Sequence, residues 1–424
     1  MTDTIYALSS GQPPAAIAII RISGPKALGS LVHLTGTRPE PRRAQLAQLR
    51  EGDELLDHAL VLWFQGPRTA TGEDLAELHL HGGRAVVAAV TAALGRLPGL
   101  RAAEPGEFTR RAFANGRIDL AEAEGLADLL SAETESQRRA AIGLAGGTLS
   151  RQVRGWTERL LGLAAIVEAR LDFSDEGEVG EGLPPSWELD RTGLASEISA
   201  LLAQPSVERL RDGVHVVIAG PPNVGKSTLL NALAGREAAI TSEIPGTTRD
   251  LIEAPVSIEG VPFVLTDSAG LRDARDRVEA IGVNRAQAAL ASADLVLWLG
   301  DAASRPVRPG VTLVRSRMDL LGASSEADLS VSAVTGEGLE DLMARLVRDA
   351  RQLLPAEGET AANARQRAAL SEAAAHLAAA ASAGDLLVTA EELRQARVAL
   401  DRVTGRGGVE NMLDSLFARF CIGK

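Results

Sequence analysis

The chain runs to 424 residues, 45% of them hydrophobic, with a formal net charge of −12. That length predicts about two to four domains with ample core-forming material. The acidic balance, with aromatics at only 3%, argues against a broad basic or stacking surface for nucleic acid, and a single cysteine leaves no intramolecular disulfide, which fits a reducing compartment.

The N-terminus lacks a basic n-region, and the apolar run at 15–20 is too short for a signal or membrane segment. A cytoplasmic protein without membrane attachment is expected. Residues 1–117 mix short β-like runs (17–21 and 59–64) with a helical stretch at 84–97 and many Gly/Pro turns, an α+β pattern. From 118 to about 203 the pattern turns helical. Ile142, Leu149, Val153, Trp156, Leu160, Leu163, Val167 and Leu171 recur at threes, fours and sevens, one apolar face of a long helix. An acidic, Gly/Pro-containing break follows at 175–185. Residues 211–352 alternate helices with short apolar strands at 214–219, 262–266, 294–299, 311–315 and 328–331. This predicts a doubly wound α/β domain with ligand loops at the strand C-termini. After 357 an Ala-rich helical pattern returns. The expected organisation is an N-terminal domain over 1–117 and a discontinuous helical domain over 118–210 plus 353–424. An α/β domain over 211–352 is inserted in the latter; four serial domains are the alternative.

The strongest chemical signal is Gly220-Pro221-Pro222-Asn223-Val224-Gly225-Lys226-Ser227, the G-x-x-x-x-G-K-[ST] phosphate loop. Its position between a β-branched run and a helix opened by Ser227 and Thr228 aims backbone amides and a helix N-terminus at phosphates. Lys226 is one of only three lysines among 44 basic residues, the others being Lys26 and Lys424. An Arg-biased chain that keeps Lys here fits a compact ammonium reaching the β- and γ-phosphates.

Downstream motifs narrow the ligand. In Gly246-Thr247-Thr248-Arg249-Asp250, Thr248 or its neighbour Thr247 suits closure over the γ-phosphate and, with Ser227, coordination of Mg2+. Asp267 ends a strand where it holds a Mg2+ water, and the Gly270 amide senses the γ-phosphate. Guanine is usually read by N-K-x-D, and the corresponding stretch here is Ser316-Arg317-Met318-Asp319. Asp319 keeps the base-reading carboxylate, while Ser is shorter than Asn and Arg replaces Lys. Ser332 and Ala333 match the loop whose backbone contacts guanine O6. GTP is the favoured nucleotide, and the departure at 316–317 bears on affinity or discrimination. Read from residues alone, Asn223 is as much a turn residue as a ligand, and Glu279 as much an exposed helix-start carboxylate as a catalytic group. Cys421 is either reactive or a small buried hydrophobe. His79 and His81 alternate as on a strand, and no transition metal is expected.

Taken together, these residues resemble the MnmE (TrmE) family of tRNA-modification GTPases over essentially the whole chain. The resemblance includes Thr71-Gly72-Glu73-Asp74, His81-Gly82-Gly83, the segment from Pro105 to Glu124, and the ending Cys421-Ile422-Gly423-Lys424, which is similar to the family's C-[IL]-G-K. It implies an N-terminal domain that binds 5-formyltetrahydrofolate or a related one-carbon folate and forms a homodimer, with folate residues falling on Arg21, Glu77, Arg117 and Lys424. Family members often carry Lys where Arg117 stands, which keeps the charge. It also implies an FAD-containing MnmG-like partner, tRNA as substrate, and modification of the wobble uridine at carbon 5 with an aminomethyl-type group. For hydrolysis it implies that Glu279 positions the attacking water through a second water. A K+ ion would be held by Asn223, Ser242, Ile244 and Thr247 when two G domains pair, supplying the charge of an arginine finger. A ribosome-assembly or regulatory GTPase switch without modification chemistry is the alternative function; such proteins would more often carry a basic RNA-binding appendage.

Overall fold

The computed structural model describes residues 3–172, 183–236, 253–268, 287–356, 358–407, 410–418 and 420–424. The chain divides into two compact units, one of Met1–Ala127 with Asp401–Lys424 and one of Asp128–Leu400.

The first unit is built on a six-stranded sheet. Its strands are β1 (Thr4–Leu8), β2 (Ile17–Ser23), β3 (Gln45–Glu51), β4 (Glu54–Phe64), β5 (Leu75–His81) and β6 (Leu100–Ala102), in the order β3-β4-β5-β2-β1-β6. All neighbours are antiparallel except β1 and β6. Alternation decides the faces. Ala18, Ile20 and Ile22 of β2 and Leu78 and Leu80 of β5 are buried together with Leu31, Leu34, Val87, Val90 and Leu94 of the helices Ala27–Thr35 and Arg84–Gly95. Each such aliphatic side chain contributes about 1.5–3 kcal/mol when fully buried. The intervening Arg21 and Glu77 stand directly opposite one another in the β2–β5 register, on the other face. The C-terminal segment belongs to this unit: Phe417 is buried with its ring 6.4 Å from Phe113 and 6.1 Å from Phe420.

The second unit joins helices to a second sheet. The apolar face expected to run from Ile142 to Leu171 is divided between two helices, Glu135–Ala145 and Thr148–Asp172. Gly146 and Gly147 end the first of them, with Gly147 at φ +74°, a conformation that stops a right-handed helix. The register changes with it, leaving Ile142 47% exposed while Leu149, Val153, Trp156, Leu160, Leu163 and Val167 are buried. Trp156 Nε1 donates to Glu197 at 2.9 Å, and the buried Arg191 donates to the Leu377 carbonyl at 2.8 Å, which ties the helices Pro185–Ala203 and Ala364–Ser382 to this core.

The sheet of this unit has strands β7 (Val214–Ala219), β8 (Glu253–Ile258), β9 (Val261–Asp267), β10 (Leu295–Trp298), β11 (Val311–Arg315) and β12 (Leu329–Ser330), in the order β12-β11-β10-β7-β9-β8. Every pair is parallel except β8 with β9. The parallel strands are near-continuous apolar runs because helices cover them, and β8 carries Pro255 as an edge strand allows. The chain enters and leaves this sheet close to one place, where Arg367 donates to the carbonyls of Gln204 and Leu202 at 2.9 and 2.5 Å. The N-terminal turn of helix Glu135–Ala145 grips the sheet at two residues, with the Ser136 amide also donating to the Gly260 carbonyl at 3.4 Å. Ser136 Oγ donates to the Gly260 carbonyl in the β8–β9 turn at 2.7 Å, and Gln137 Nε2 to the Arg211 carbonyl ahead of β7 at 3.1 Å. Among the described residues no helix is long and apolar enough to cross a membrane.

Candidate nucleotide-binding site

Strand β7 ends at Ala219, and the helix Lys226–Arg236 begins seven residues later, so Gly220–Gly225 forms the loop between them. Asn223 sits at φ +62°, in the left-handed region that Asn tolerates better than most side chains. Lys226 is 6% exposed, and its ammonium folds back over its own loop, donating to the carbonyls of Pro221 at 2.8 Å and Gly220 at 3.2 Å. Ser227 Oγ donates to Asp267 Oδ2, joining the first turn of the helix to the end of β9. Asp267 is buried, and the following amide, Ser268 N, donates to the Ile218 carbonyl of β7 at 3.1 Å. A hydroxyl and a carboxylate brought together beside a phosphate loop are an oxygen donor set suited to Mg2+. Thr228 lies next along the helix and is exposed.

Two further loops close on this one. Ser316 Oγ donates to the Val224 carbonyl at 2.6 Å, and Arg317 Nη2 donates to the Asn223 carbonyl at 2.6 Å. The shortness of Ser relative to Asn therefore does not cost the loop its anchor. Met318 N donates to the Val331 carbonyl at 3.0 Å, which sets the helix Met318–Leu321, with its exposed Asp319, beside the loop of Ser332 and Ala333. Ser332 is fully buried and its Oγ accepts from Thr335 N at 3.1 Å, fixing that turn. The structure thus brings together Asn223, Val224, Gly225, Lys226, Ser227, Asp267 and the two base-side loops. Ser242, Ile244, Thr247, Thr248, Gly270 and Glu279 lie outside the described residues.

In the first unit, Arg21 donates through Nε and Nη2 to Glu77 Oε1 at 3.1 and 2.9 Å, and His79 Nε2 lies 3.4 Å from Glu77 Oε2. The Arg21 guanidinium also sits 5.9 Å from the centre of the Phe108 ring. Arg117 and Lys424 have other partners: Arg117 Nε donates to the Thr69 carbonyl at 3.1 Å, and Lys424 N to the Cys421 carbonyl at 3.2 Å. That last turn is fixed by Ser9 Oγ, which donates to the Gly423 carbonyl at 2.8 Å, and by an antiparallel bridge between Pro105 and Ile422. Gly423 has φ +97°, and a Cβ there would lie 2.1 Å from the Leu8 carbonyl oxygen, so only glycine fits. Cys421 is exposed, which removes the reading of it as a small buried hydrophobe.

Residues 4–117 match the family model of the GTP-binding protein TrmE N-terminus, and residues 120–421 that of the MnmE helical domain. The chain belongs to the MnmE family. The tRNA modification GTPase MnmE of Rhizorhabdus wittichii is 60% identical over 431 residues, covering 100% of this chain and 97% of that protein. That of Erythrobacter litoralis is 58% identical over 424 residues, with both chains covered in full. That of Novosphingobium aromaticivorans is 56% identical over 438 residues, again covering 100% of each.

One part of the MnmE-family segment from Pro105 to Glu124 has a structural role that sequence reading missed. Arg111 is completely buried and forms ion pairs with Asp3 at 3.0 Å, Glu73 at 3.1 Å and Glu107 at 3.0 Å. Arg101 joins from outside, at 2.7 Å from Asp3 and 2.8 Å from Glu107. Burial pushes the Glu107 carboxyl up, but hydrogen bonds from Arg101, the Glu104 amide and Arg111 outweigh it and hold the group below its ordinary value. The signal was present as Glu107 and Arg111, spaced four apart on a helix, with Glu73 inside Thr71-Gly72-Glu73-Asp74.

Proposed function

We propose that this chain hydrolyses GTP to GDP and phosphate and that this hydrolysis drives a tRNA-modifying assembly. Working with an FAD-containing MnmG-like partner, it would attach an aminomethyl-type group to carbon 5 of the wobble uridine. The observation that carries this reading is the loop of Asn223 to Ser227 with the Ser227–Asp267 contact, set in a chain whose full length matches the MnmE family. Lys226 binds the β- and γ-phosphates when it exchanges the Gly220 and Pro221 carbonyls for them. Ser227 and Thr248 hold Mg2+, with Asp267 holding a water of that ion. Val224, Gly225 and Thr228 line the phosphates, Gly270 senses the γ-phosphate, and Asp319, Ser332 and Ala333 read guanine. Asn223, with Ser242, Ile244 and Thr247, holds K+, which supplies positive charge at the β–γ bridging oxygen. Glu279 orients the attacking water.

In the same reading, residues 1–117 form the folate-binding and dimerising domain. Arg21, Glu77, Arg117 and Lys424 hold 5-formyltetrahydrofolate or a related one-carbon folate, and Cys421 takes part in the modification chemistry. The paired Arg21 and Glu77 offer both donors and acceptors, as a pterin edge requires. Residues 118–210 plus 353–424 form the helical domain and 211–352 the G domain, and the homodimer works in the cytoplasm. GTP turnover of the purified chain in KCl and in NaCl, with Asn223→Ala and Glu279→Ala alongside, tests the motor, and equal rates in both salts reject the cation. Wobble-uridine analysis of tRNA from a deletion strain tests the wider role. Unchanged modification there would favour the regulatory switch.

A further inference from the structure

A cavity of about 600 Å³ opens where β10 and β11 begin, and Arg209, Arg305, Arg308 and Arg345 line it. It lies at the opposite end of the sheet from the phosphate loop: Leu295, the first residue of β10, pairs with Val216, whereas the loop follows Ala219 at the far end of β7. Two of the arginines are held in the same way. Arg209 donates through Nε to Asp294 Oδ1 at 2.7 Å, and Arg345 through Nε to Asp349 Oδ2 at 2.8 Å, one turn on along the helix Leu339–Arg351. Asp294 is itself fixed, since its Oδ2 accepts from the His215 amide at 3.1 Å. A guanidinium gripped at Nε keeps its two terminal nitrogens, and among the described residues those of Arg209 and Arg345 bond to nothing. Such an edge matches a pair of phosphate oxygens. As stabilising contacts these part-exposed pairs are worth little, so what the aspartates supply is direction.

Charge narrows the kind of phosphate. Asp294 balances Arg209, Asp349 balances Arg345, and Asp328, from outside the lining, balances Arg305 at 3.3 Å. Arg308 spends its guanidinium on the carbonyls of Leu290 and Ala293, which carry no formal charge. Four arginines against three aspartates leave one positive charge in excess, inside a chain of net charge −12. A phosphodiester carries one negative charge and a terminal phosphate up to about two, so a backbone phosphate is the better match. We propose that this cavity is a phosphodiester site at which Arg209 and Arg345 hold one backbone phosphate of tRNA. The inference rests on the reading of this chain as part of a tRNA-modifying assembly and gives that RNA a place on it. An acidic chain lacks a broad basic face, and a single preformed site needs none, because a phosphate contact sets register and orientation.

The test titrates a tRNA transcript with an unmodified wobble uridine against the full chain across a NaCl series, read by fluorescence anisotropy. The proteins are the unsubstituted chain, R209Q, R345Q, the double variant and R394Q. Arg394 forms an exposed pair with Glu391 on the helix Leu386–Thr404, so R394Q removes the same charge without touching the cavity. The double variant is expected to bind tRNA about tenfold more weakly, with the slope of log affinity against log salt reduced by about one, the signature of one lost phosphate contact. Each single variant should show part of that loss, which keeps the result readable if the double variant does not fold, and R394Q should match the unsubstituted chain. Equal affinity and slope with and without the two arginines overturns the inference. So does an equal loss in R394Q, which would reduce the effect to net charge, and so does an unsubstituted chain that binds no tRNA. Calorimetry with inorganic phosphate distinguishes the source: phosphate binding lost in the double variant while tRNA affinity holds makes this a free-phosphate site and overturns the tRNA assignment. Lost wobble-uridine modification in the deletion strain, with tRNA affinity unchanged in the double variant, overturns this inference alone. Unchanged modification in that strain overturns the tRNA reading and this inference with it.

Discussion

Ser9 Oγ donates to the Gly423 carbonyl across 414 positions of sequence, fastening the last turn of the chain to the end of β1. The contact leaves no room beside Leu8, whose carbonyl oxygen would lie 2.1 Å from any Cβ at position 423. Gly423→Ala therefore displaces Lys424. Affinity for 5-formyltetrahydrofolate, measured by calorimetry, is expected to fall about tenfold, with GTP turnover held within about twofold. Unaltered folate affinity would remove Lys424 from the proposed folate site.

Lys226 is the one cation that an Arg-rich chain places inside its phosphate loop. Lys226→Ala is expected to lower kcat/KM for GTP by about a hundredfold. Lys226→Arg keeps the charge but brings a planar fork into a space shaped by the Gly220 and Pro221 carbonyls, and is expected to lose nearly as much. Steady-state kinetics of the two variants separate charge from shape.

Arg111→Met removes a buried cation from three carboxylates, those of Asp3, Glu73 and Glu107. The expected cost is about 3–5 kcal/mol, because the cost of uncompensated buried charge exceeds the value of the pairs themselves. Urea unfolding at neutral pH measures it.

The same cluster sets an acid limit. Glu107 is held below the ordinary range of a glutamate carboxyl. Asp3, pushed up by burial but pulled down further by the Arg101 hydrogen bond and the nearby Arg111 charge, is held below the ordinary range of an aspartate carboxyl. A depressed folded-state pKa contributes stability that is fully present above the unfolded value and is lost as pH falls through the folded one. Unfolding free energy should therefore decline as pH drops below the ordinary carboxyl range. Glu107→Gln should flatten that slope by about one proton's worth.

Ser136→Ala deletes the hydroxyl bond by which helix Glu135–Ala145 holds the Gly260 carbonyl, leaving the longer one from the Ser136 amide. Hydrogen exchange at the β8–β9 turn is expected to quicken about fivefold, consistent with a net loss near 1 kcal/mol. Exchange in the core of β7 should be unaffected.

Much of the second sheet was legible because parallel strands are short, apolar and β-branched. The expected runs 214–219 and 311–315 coincide with β7 and β11, and 262–266 and 294–299 fall within a residue or two of β9 and β10. β8 was not, since Glu253 and Pro255 break the apolar pattern of an edge strand. The long helix was read through Gly146 and Gly147 because a 3.6-residue period survives a two-residue interruption on paper, whereas the backbone does not. In the candidate site, residue types announced the phosphate loop. They did not announce that Ser316 and Arg317 fasten it, because those bonds end on carbonyls, which have no sequence signature. The Arg111 cluster escaped for a related reason: charged residues are read as solvated unless their partners, here Asp3 at 108 positions and Glu73 at 38, are known to meet.

The scarcity of lysine has a practical outcome. An acylating reagent finds only three side-chain amines in the chain, at Lys26, Lys226 and Lys424. Lys226 is folded into its loop, Lys424 closes the C-terminal turn, and Lys26 is exposed and bonded to the Pro98 carbonyl. Mass spectrometry of acylated peptides would thus read nucleotide protection at Lys226 and, on the proposed folate reading, folate protection at Lys424. Lys26 would serve as a built-in reference, and no label would need to be engineered.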